Sequence, residues 1–431
     1  MAETAENSLY LNKAGPAPAW SRLEDALHVP VAIVGGGLTG LSTALHLAES
    51  GVQAAVFEAE SPGWGASGRN GGQLNPGLKF DPSWFISRFG EARGREMIGF
   101  GWSTVDETVA LINRLGIDCD LRRNGTLRAA ASARDVASVR RSFDDMTAHA
   151  MDVAWLDQAD VAALTGHERY PAAFLDRRGG DLNPLLFSRG LAVAAQAAGA
   201  KVFGDSRVRS LGKTADGWRL EVNGQTVRAD RVLIACNGYA DGLWPGLRQA
   251  SVPVFSSVLA SHPLSEDMAK TVMPGRQVLY ESGLVTVYYR VDSAGHLIIG
   301  GRGPMRPSSD ARRMQAIARH AEKLWPGVSR AGWQFAWNGR VSVTPDHLPN
   351  IHAPDPSILI AYGYNGRGVA LSTALGRHLA ACLSGRIAPD DLPLPPSNLR
   401  RIPFHRFWPV GVHLTVAASR LRSGFFRQIV K

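Results

Sequence analysis

The chain has 431 residues, room for about two to three domains. Hydrophobic residues make up 45% and charged residues 20%, near the globular average, which excludes wholesale disorder. The 46 glycines follow no G-X-Y period, so collagen is excluded, and the three cysteines (Cys119, Cys236, Cys382) show neither a disulfide framework nor metal-ligand spacing. No metal is expected, and a reducing compartment is.

The formal charge of +9 raises nucleic acid or anionic lipid as a partner. The excess is local. Residues 396–431 carry Arg400, Arg401, Arg406, Arg420, Arg422, Arg427 and Lys431 and no acid, which leaves 40 basic against 38 acidic residues in the body. A nearly neutral body without a zinc-finger, RRM or KH pattern argues against nucleic acid. The tail also holds Phe404, Phe407, Trp408, Phe425 and Phe426. Such a segment either docks on its own domain or lies on a membrane surface.

The N-terminus, MAETAENSLY, is acidic and polar and lacks the basic start of a signal peptide. Residues 29–48 carry no charge, but their internal grammar is strand, tight turn and helix rather than a bilayer span. A soluble, cytoplasmic protein is expected. In this turn Gly35, Gly37 and Gly40 form G-x-G-x-x-G, after a β-branched run at 31–34 and before a helix opened by Leu38 and Thr39. Gly35 serves the turn, Gly37 lets backbone approach a pyrophosphate, and Gly40 lets helix and strand pack closely. The helix N-terminus offers unpaired N–H groups and a favourable dipole to that anion. A second strand over 53–57 ends at Glu58, 23 residues after Gly35, where a carboxylate accepts ribose hydroxyls. All parts stand in register, which makes this a dinucleotide site rather than a chance glycine cluster.

Next comes GWGASGRNGGQ, residues 63–73, a glycine-rich loop with Ser67, Gly68, Arg69, Asn70, Gly71 and Gln73. It brings the chain back to the cofactor and suits a second, larger cofactor moiety. Val208, after a short strand at 201–203, is placed to touch an adenine. The buried run at 232–237 ends at Asn237-Gly238, on the ligand edge of an open α/β sheet. A further buried strand at 358–361 runs into Gly363-Tyr364-Asn365-Gly366-Arg367-Gly368, and a helix begins near Val369. The dipole of that helix favours the anionic pyrimidine end of a reduced flavin.

With these residues in hand, the chain resembles the FAD-dependent oxidoreductases of the D-amino-acid oxidase superfamily, and most closely their gamma-glutamylputrescine oxidoreductase branch. The resemblance runs from about Leu9 to the tail. It rests on VGGGLTGLS, GASGRNGGQ, YYR followed by LIIGG, TPDHLP, and GYNGRGV in this order. It implies an α/β protein in which a Rossmann-like FAD-binding domain (25–80, 178–245, 336–385) is interleaved with an α+β substrate domain on a large mixed sheet (81–177, 246–335). Residues 386–431 then form a tail.

The activity implied is oxidation of a C–N bond, with hydride transfer to flavin N5 and hydrolysis of the imine. The favoured substrate is gamma-glutamylputrescine or a similar polyamine-derived amine, and the acceptor is oxygen or another oxidant. The alternative is a secondary or cyclic amino acid such as pipecolate, proline or an N-methyl amino acid. From another class, the alternative is a membrane-surface binding protein with an idle nucleotide fold.

Carried over, Gly35, Gly37, Gly40 and Glu58 match the adenosine-diphosphate site, residues 67–73 the loop near the flavin, and Val208 the adenine contact. Gly366, Arg367 and Gly368 match the loop under the pyrimidine ring. Thr344 and Asp346 either face the ring or cap a turn. Arg290, after Tyr288 and Tyr289, matches an arginine that holds a substrate carboxylate by a bidentate pair, with Tyr288 beside it; the alternative is a surface arginine at a hairpin. Residues 338–345 contain no cysteine, so noncovalent FAD is expected.

Overall fold

The computed structural model describes residues 7–283 and 286–414. Two eight-stranded sheets organise it. In the first, parallel strands Ile358–Tyr362, Gln225–Ile234, Leu27–Val34, Ala54–Phe57 and Lys201–Phe203 lie side by side, with Asn350–Asp355 antiparallel at one edge. These central strands are continuous apolar runs, as burial on both faces requires. Their register is level: Val34 lies beside both Phe57 and Ile234, and Ile234 beside Ile360. The chain therefore leaves all of them at one edge, through Gly35, Glu58, Ala235 and, two residues beyond Ala361, Gly363.

Helices Leu38–Glu49, Pro184–Ala197 and Gly368–Leu383 cover one face and share a single apolar core with it. The long helix Glu91–Leu115 joins that core through Met97, Trp102, Val105 and Ile112, and its Thr108 hydroxyl donates to the Ala370 carbonyl. Although it falls within the segment expected for the substrate domain, it packs on the cofactor side.

The second sheet runs Trp333–Val343, Val252–Pro263, His296–Arg302, Tyr288–Val291, Val278–Glu281, Thr126–Ala129, Ala172–Asp176 and Val153–Asp157. It is mixed, with one parallel pairing between Val278–Glu281 and Thr126–Ala129. Trp333–Val343 pairs along its length with Val252–Pro263. The boundary expected at 336 is thereby corrected: this strand belongs to the second sheet, held by the buried Ala336 and Trp337, and the return to the cofactor sheet comes after Val343.

Behind the second sheet, the His167 imidazole faces the Tyr289 hydroxyl at 3.1 Å, and its Nδ1 accepts from the Arg169 amide at 3.3 Å. Burial, with the charges of Arg169 and His320, pulls its pKa down to about 4. An unfolded histidine binds its proton near pH 6.5. The unfolded state thus holds more protons between those values, and stability falls as pH drops from about 6.5 towards 4. Thermal melts across this range are expected to show a steeper decline for the wild type than for His167→Asn; parallel declines would refute the assignment.

Candidate functional site

Between the sheets lies a cavity of about 1790 Å³. Single drug-sized ligands occupy roughly 300–1,000 Å³, so a large cofactor and a substrate fit together. One wall comes from the level strand ends. Gly35 turns there with φ +108°, and a Cβ on Gly37 would lie 2.8 Å from Ser67 Oγ. The Gly36 amide donates to Glu58 Oε2 at 2.6 Å and the Leu38 amide to Ser67 Oγ at 3.0 Å. Burial raises the Glu58 carboxyl against the opposing pull of the Gly36 and Glu60 amides. Gly40 stands behind this wall, where its lack of a side chain lets the helix touch the Gly35 carbonyl.

The 63–73 loop forms the next stretch. Asn70 folds it by donating to the Ala66 and Ser67 carbonyls and accepting from the Gly72 amide. Ser67, Asn70, Gly71 and Gln73 line the cavity with Leu38, Thr39, Val208 and Asn237. The Asn237 amide oxygen accepts from the Gly363 amide at 2.9 Å and so ties two strand ends together. From the other end of the chain, Gly366, Arg367, Gly368 and Val369 complete the wall. The two glycine turns meet where Thr39 Oγ1 and the Tyr364 hydroxyl approach to 2.6 Å.

The opposite wall is the second sheet. Tyr288 stands in it, its hydroxyl 2.9 Å from Ser256 Oγ, and its ring fills the space left by two glycines, Gly71 and Gly300. Burial pushes its phenol up to about 12, so it remains neutral. The fit to an FAD-like group is good: a glycine cradle at a helix N-terminus, an acidic strand end, and a second helix N-terminus face one elongated space.

Sequence comparison agrees with this geometry. The profile described as FAD dependent oxidoreductase matches residues 30–382. The chain belongs to that family. It is 29% identical to gamma-glutamylputrescine oxidoreductase of Escherichia coli over 92% of this chain and 95% of that one. It is 26% identical to glycine oxidase of Geobacillus kaustophilus over 84% and 94%. Among solved structures, glycine oxidase from Geobacillus kaustophilus superposes with a TM-score of 0.73 at 23% identity, covering 85% of this chain and 98% of that one. L-proline dehydrogenase from P. horikoshii gives 0.67 at 17%, covering 86% and 96%.

Several expected site residues serve the wall from behind. Gly68 packs against the Gly63 carbonyl and Leu185. Arg69 is buried, donates to the Trp64 carbonyl at 2.6 Å and stacks on the Trp64 ring, while its own carbonyl accepts from Trp337. Gly238 lies one residue off the wall, against Ser342. Thr344 holds Asn365 through its amide and hydroxyl, and Asp346 caps the turn to Leu348 and Asn350. Of the two readings left open for the pair, turn-capping is the one observed for Asp346.

Arg290 requires a correction. It is 1% exposed and does not line the cavity. Its guanidinium donates to Asp181 Oδ1, the Gly71 and Leu182 carbonyls and the Tyr10 hydroxyl. It is neither a substrate clamp nor a surface arginine. The strand alternation explains this: Tyr288 and Arg290 share a face, but the Gly71–Gly72 turn and the N-terminal helix Leu9–Ala14 cover Arg290.

The cavity also includes residues that sequence reasoning missed: Trp64, Lys79, Arg128, Tyr239, Tyr280 and Arg340. Lys79 follows Gln73 by six positions and was within reach of the same loop argument; the others come from strands and turns whose facing depends on tertiary pairing. The tail borders the cavity. Ser397 and Ile402 bond to the Ile351 and Gln249 carbonyls, and residues 402–405, with Phe407 and Trp408, border the cavity. Of the five exposed large hydrophobic residues described, four, Phe404, Phe407, Val410 and Leu414, lie here, and the fifth is Val193. Arg420, Arg422, Phe425, Phe426, Arg427 and Lys431 lie outside the described residues. Among those described, no helix is long and apolar enough to cross a membrane.

Proposed function

We propose that the protein oxidises the C–N bond of an amine, with gamma-glutamylputrescine or a similar polyamine-derived amine as the favoured substrate. The observation that carries the chemistry is the meeting of two glycine turns, from opposite ends of the chain, at one cavity faced by the second sheet. The FAD, when bound, accepts the electron pair. The protein orients: the sheet wall presents Tyr288 as a neutral phenol, and the tail adds apolar side chains to the cavity rim. The imine left by oxidation is cleaved by water to a carbonyl compound and an amine. Oxygen or another oxidant then takes the electrons.

The substrate choice rests on likeness along nearly the whole length of the Escherichia coli relative. The burial of Arg290 supports it, because a short cyclic amino acid loses the clamp expected for its carboxylate there. FAD is held without a covalent bond in this reading. Cys236 lies in the wall, but burial and the carboxylates of Glu58 and Asp241 raise its thiol to about 12, so it stays protonated and unreactive. The three free cysteines support a cytoplasmic setting.

Anaerobic mixing with a panel of amines tests the reading. Gamma-glutamylputrescine is expected to bleach the visible flavin band. Bleaching by proline, pipecolate or an N-methyl amino acid, and not by the glutamylated amine, would replace the proposed substrate.

A further inference from the structure

One end of the cavity gathers three cations: Lys79 and Arg128, which the cofactor wall does not include, and Arg367, which stands at the edge of that wall. Lys79 lies on the loop between the short strand Gln73–Leu74 and the helix Pro82–Phe89. Arg128 comes from the strand Thr126–Ala129, and Arg367 stands at the start of the helix Gly368–Leu383. These three and Tyr280 line both the main cavity and a small recess of about 20 Å³ that opens beside it, so four separate elements deliver them to one place. Two of the cations are fixed. Arg367 donates to the Pro76 carbonyl at 2.7 Å and to the Tyr280 hydroxyl at 3.0 Å. Arg128 lies 3.3 Å from Asp81 Oδ1, with its guanidinium carbon 5.8 Å from the Phe174 ring centre.

Lys79 differs. Its side chain opens to the cavity, and its ammonium forms no hydrogen bond or ion pair among the described residues. Asp81 is the nearby carboxylate, already engaged by Arg128 and by the Ser142 hydroxyl at 2.7 Å. Asp176, also in the recess, is held by Arg178 at 2.8 Å. Three cations thus face one another with their acids spoken for. Such an arrangement is unfavourable alone and becomes favourable when an anion enters.

We propose that Lys79, Arg128 and Arg367, with the Tyr280 hydroxyl, form an anion subsite that takes the carboxylate of the substrate at the end away from the oxidised amine. Lys79 supplies the direct contact, and the fixed guanidiniums supply the field. This deepens the substrate reading above and rests on it for the identity of the ligand. It also accounts for a carboxylate-bearing substrate in a protein whose Arg290 is sealed in the core.

The electrostatics agree. Desolvation by the surrounding walls, and then the charges of Arg367 and Arg128, pull the Lys79 ammonium down to about 8, although the residue itself stays exposed to the open cavity. His347, on the turn after Trp333–Val343, is also lowered by burial and by Lys79, and so adds no competing charge near neutrality. A bound carboxylate favours the protonated lysine. Affinity is therefore full below about pH 8 and fades as pH rises through it.

The test uses the full-length FAD-loaded enzyme with Lys79→Met and Lys79→Arg. Glutarate, a dicarboxylate without an amine to oxidise, is titrated calorimetrically. Lys79→Met is expected to bind it roughly ten- to a hundredfold more weakly than wild type, as loss of a charge-assisted hydrogen bond implies. Lys79→Arg is expected to recover most of the affinity, and both variants to keep wild-type FAD content. With gamma-glutamylputrescine, KM rises in Lys79→Met while kcat changes little. Absence of glutarate binding in wild type, or equal affinity in Lys79→Met, overturns the proposal. Weakened glutarate binding in Lys79→Met together with no oxidation of gamma-glutamylputrescine by wild type retires that substrate and upholds the anion site.

Discussion

Gly40→Val protein is expected to leave purification colourless. A Cβ at position 40 would strike the Gly35 carbonyl oxygen and come within 3.1 Å of Ile33 Cγ2. The oxygen is backbone, so no side-chain rotation relieves the clash. The helix Leu38–Glu49 has to shift away from the strand, and with it the helix N-terminus at Gly37 that would seat a pyrophosphate. Overpacking alone costs about 1–3 kcal/mol. Loss of cofactor removes a further share, because a ligand that binds only the folded state stabilises it by mass action. The ratio of flavin to protein absorbance and the melting temperature measure both. Gly51→Ala is the control: φ is +77° there, but nothing lies within 4 Å of the added carbon. It is expected to cost about 1 kcal/mol and to remain yellow. A yellow Gly40→Val enzyme with stoichiometric FAD would show that the helix N-terminus is not the pyrophosphate seat.

The second large effect is expected at Arg290, and it is one of stability. Arg290→Met removes a guanidinium that pairs with fully buried Asp181 at 3.0 Å and donates to two carbonyls and the Tyr10 hydroxyl. Burial disfavours the charge on Arg290, but Tyr10, Asp181 and Asp292 outweigh it and hold the group protonated. Breaking one side of a buried pair costs about 3–5 kcal/mol, since the partner stays behind uncompensated. Arg122, 2.7 Å from the same Asp181 oxygen, softens the loss towards the lower figure. Urea unfolding is expected to show a lower midpoint at unchanged slope. The folded fraction is expected to keep the wild-type KM. A raised KM at unchanged stability would restore Arg290 as a substrate contact.

The legible part of this molecule was its sequence-local part. Gly35, Gly37, Gly40 and Glu58 belong to one strand–turn–helix–strand unit, and the close approaches of Gly37 and Gly40 and the Glu58 carboxylate's hydrogen bonds fall within that unit or against its loop, so pattern and spacing sufficed to place them. The same holds for Gly366 to Val369, a turn entering a helix. Arg290 was misplaced for a physical reason: its fate depends on what covers one face of Tyr288–Val291, and the cover comes from Tyr10 and Gly71, more than two hundred residues away. The packing of the long helix Glu91–Leu115 on the cofactor-side core was not legible, because amphipathicity states that a helix buries a face, not which partner buries it. Lys79 and Arg128 lie some fifty residues apart and meet only through the pairing of Thr126–Ala129 in the second sheet.

The strand that opens the cofactor turn, Leu27–Val34, has Gln225–Ile234 as its neighbour on one side and Ala54–Phe57 on the other. During synthesis, Ala54–Phe57 follows soon, but nearly two hundred residues must emerge before Gln225–Ile234 exists to cover the other side. Throughout that interval an apolar strand with an open edge waits on the ribosome, already able to pair with a foreign chain. Recombinant yield should therefore respond to translation speed and chaperone supply more than to the final stability of the enzyme, and codon slowing placed after residue 234 is the natural lever.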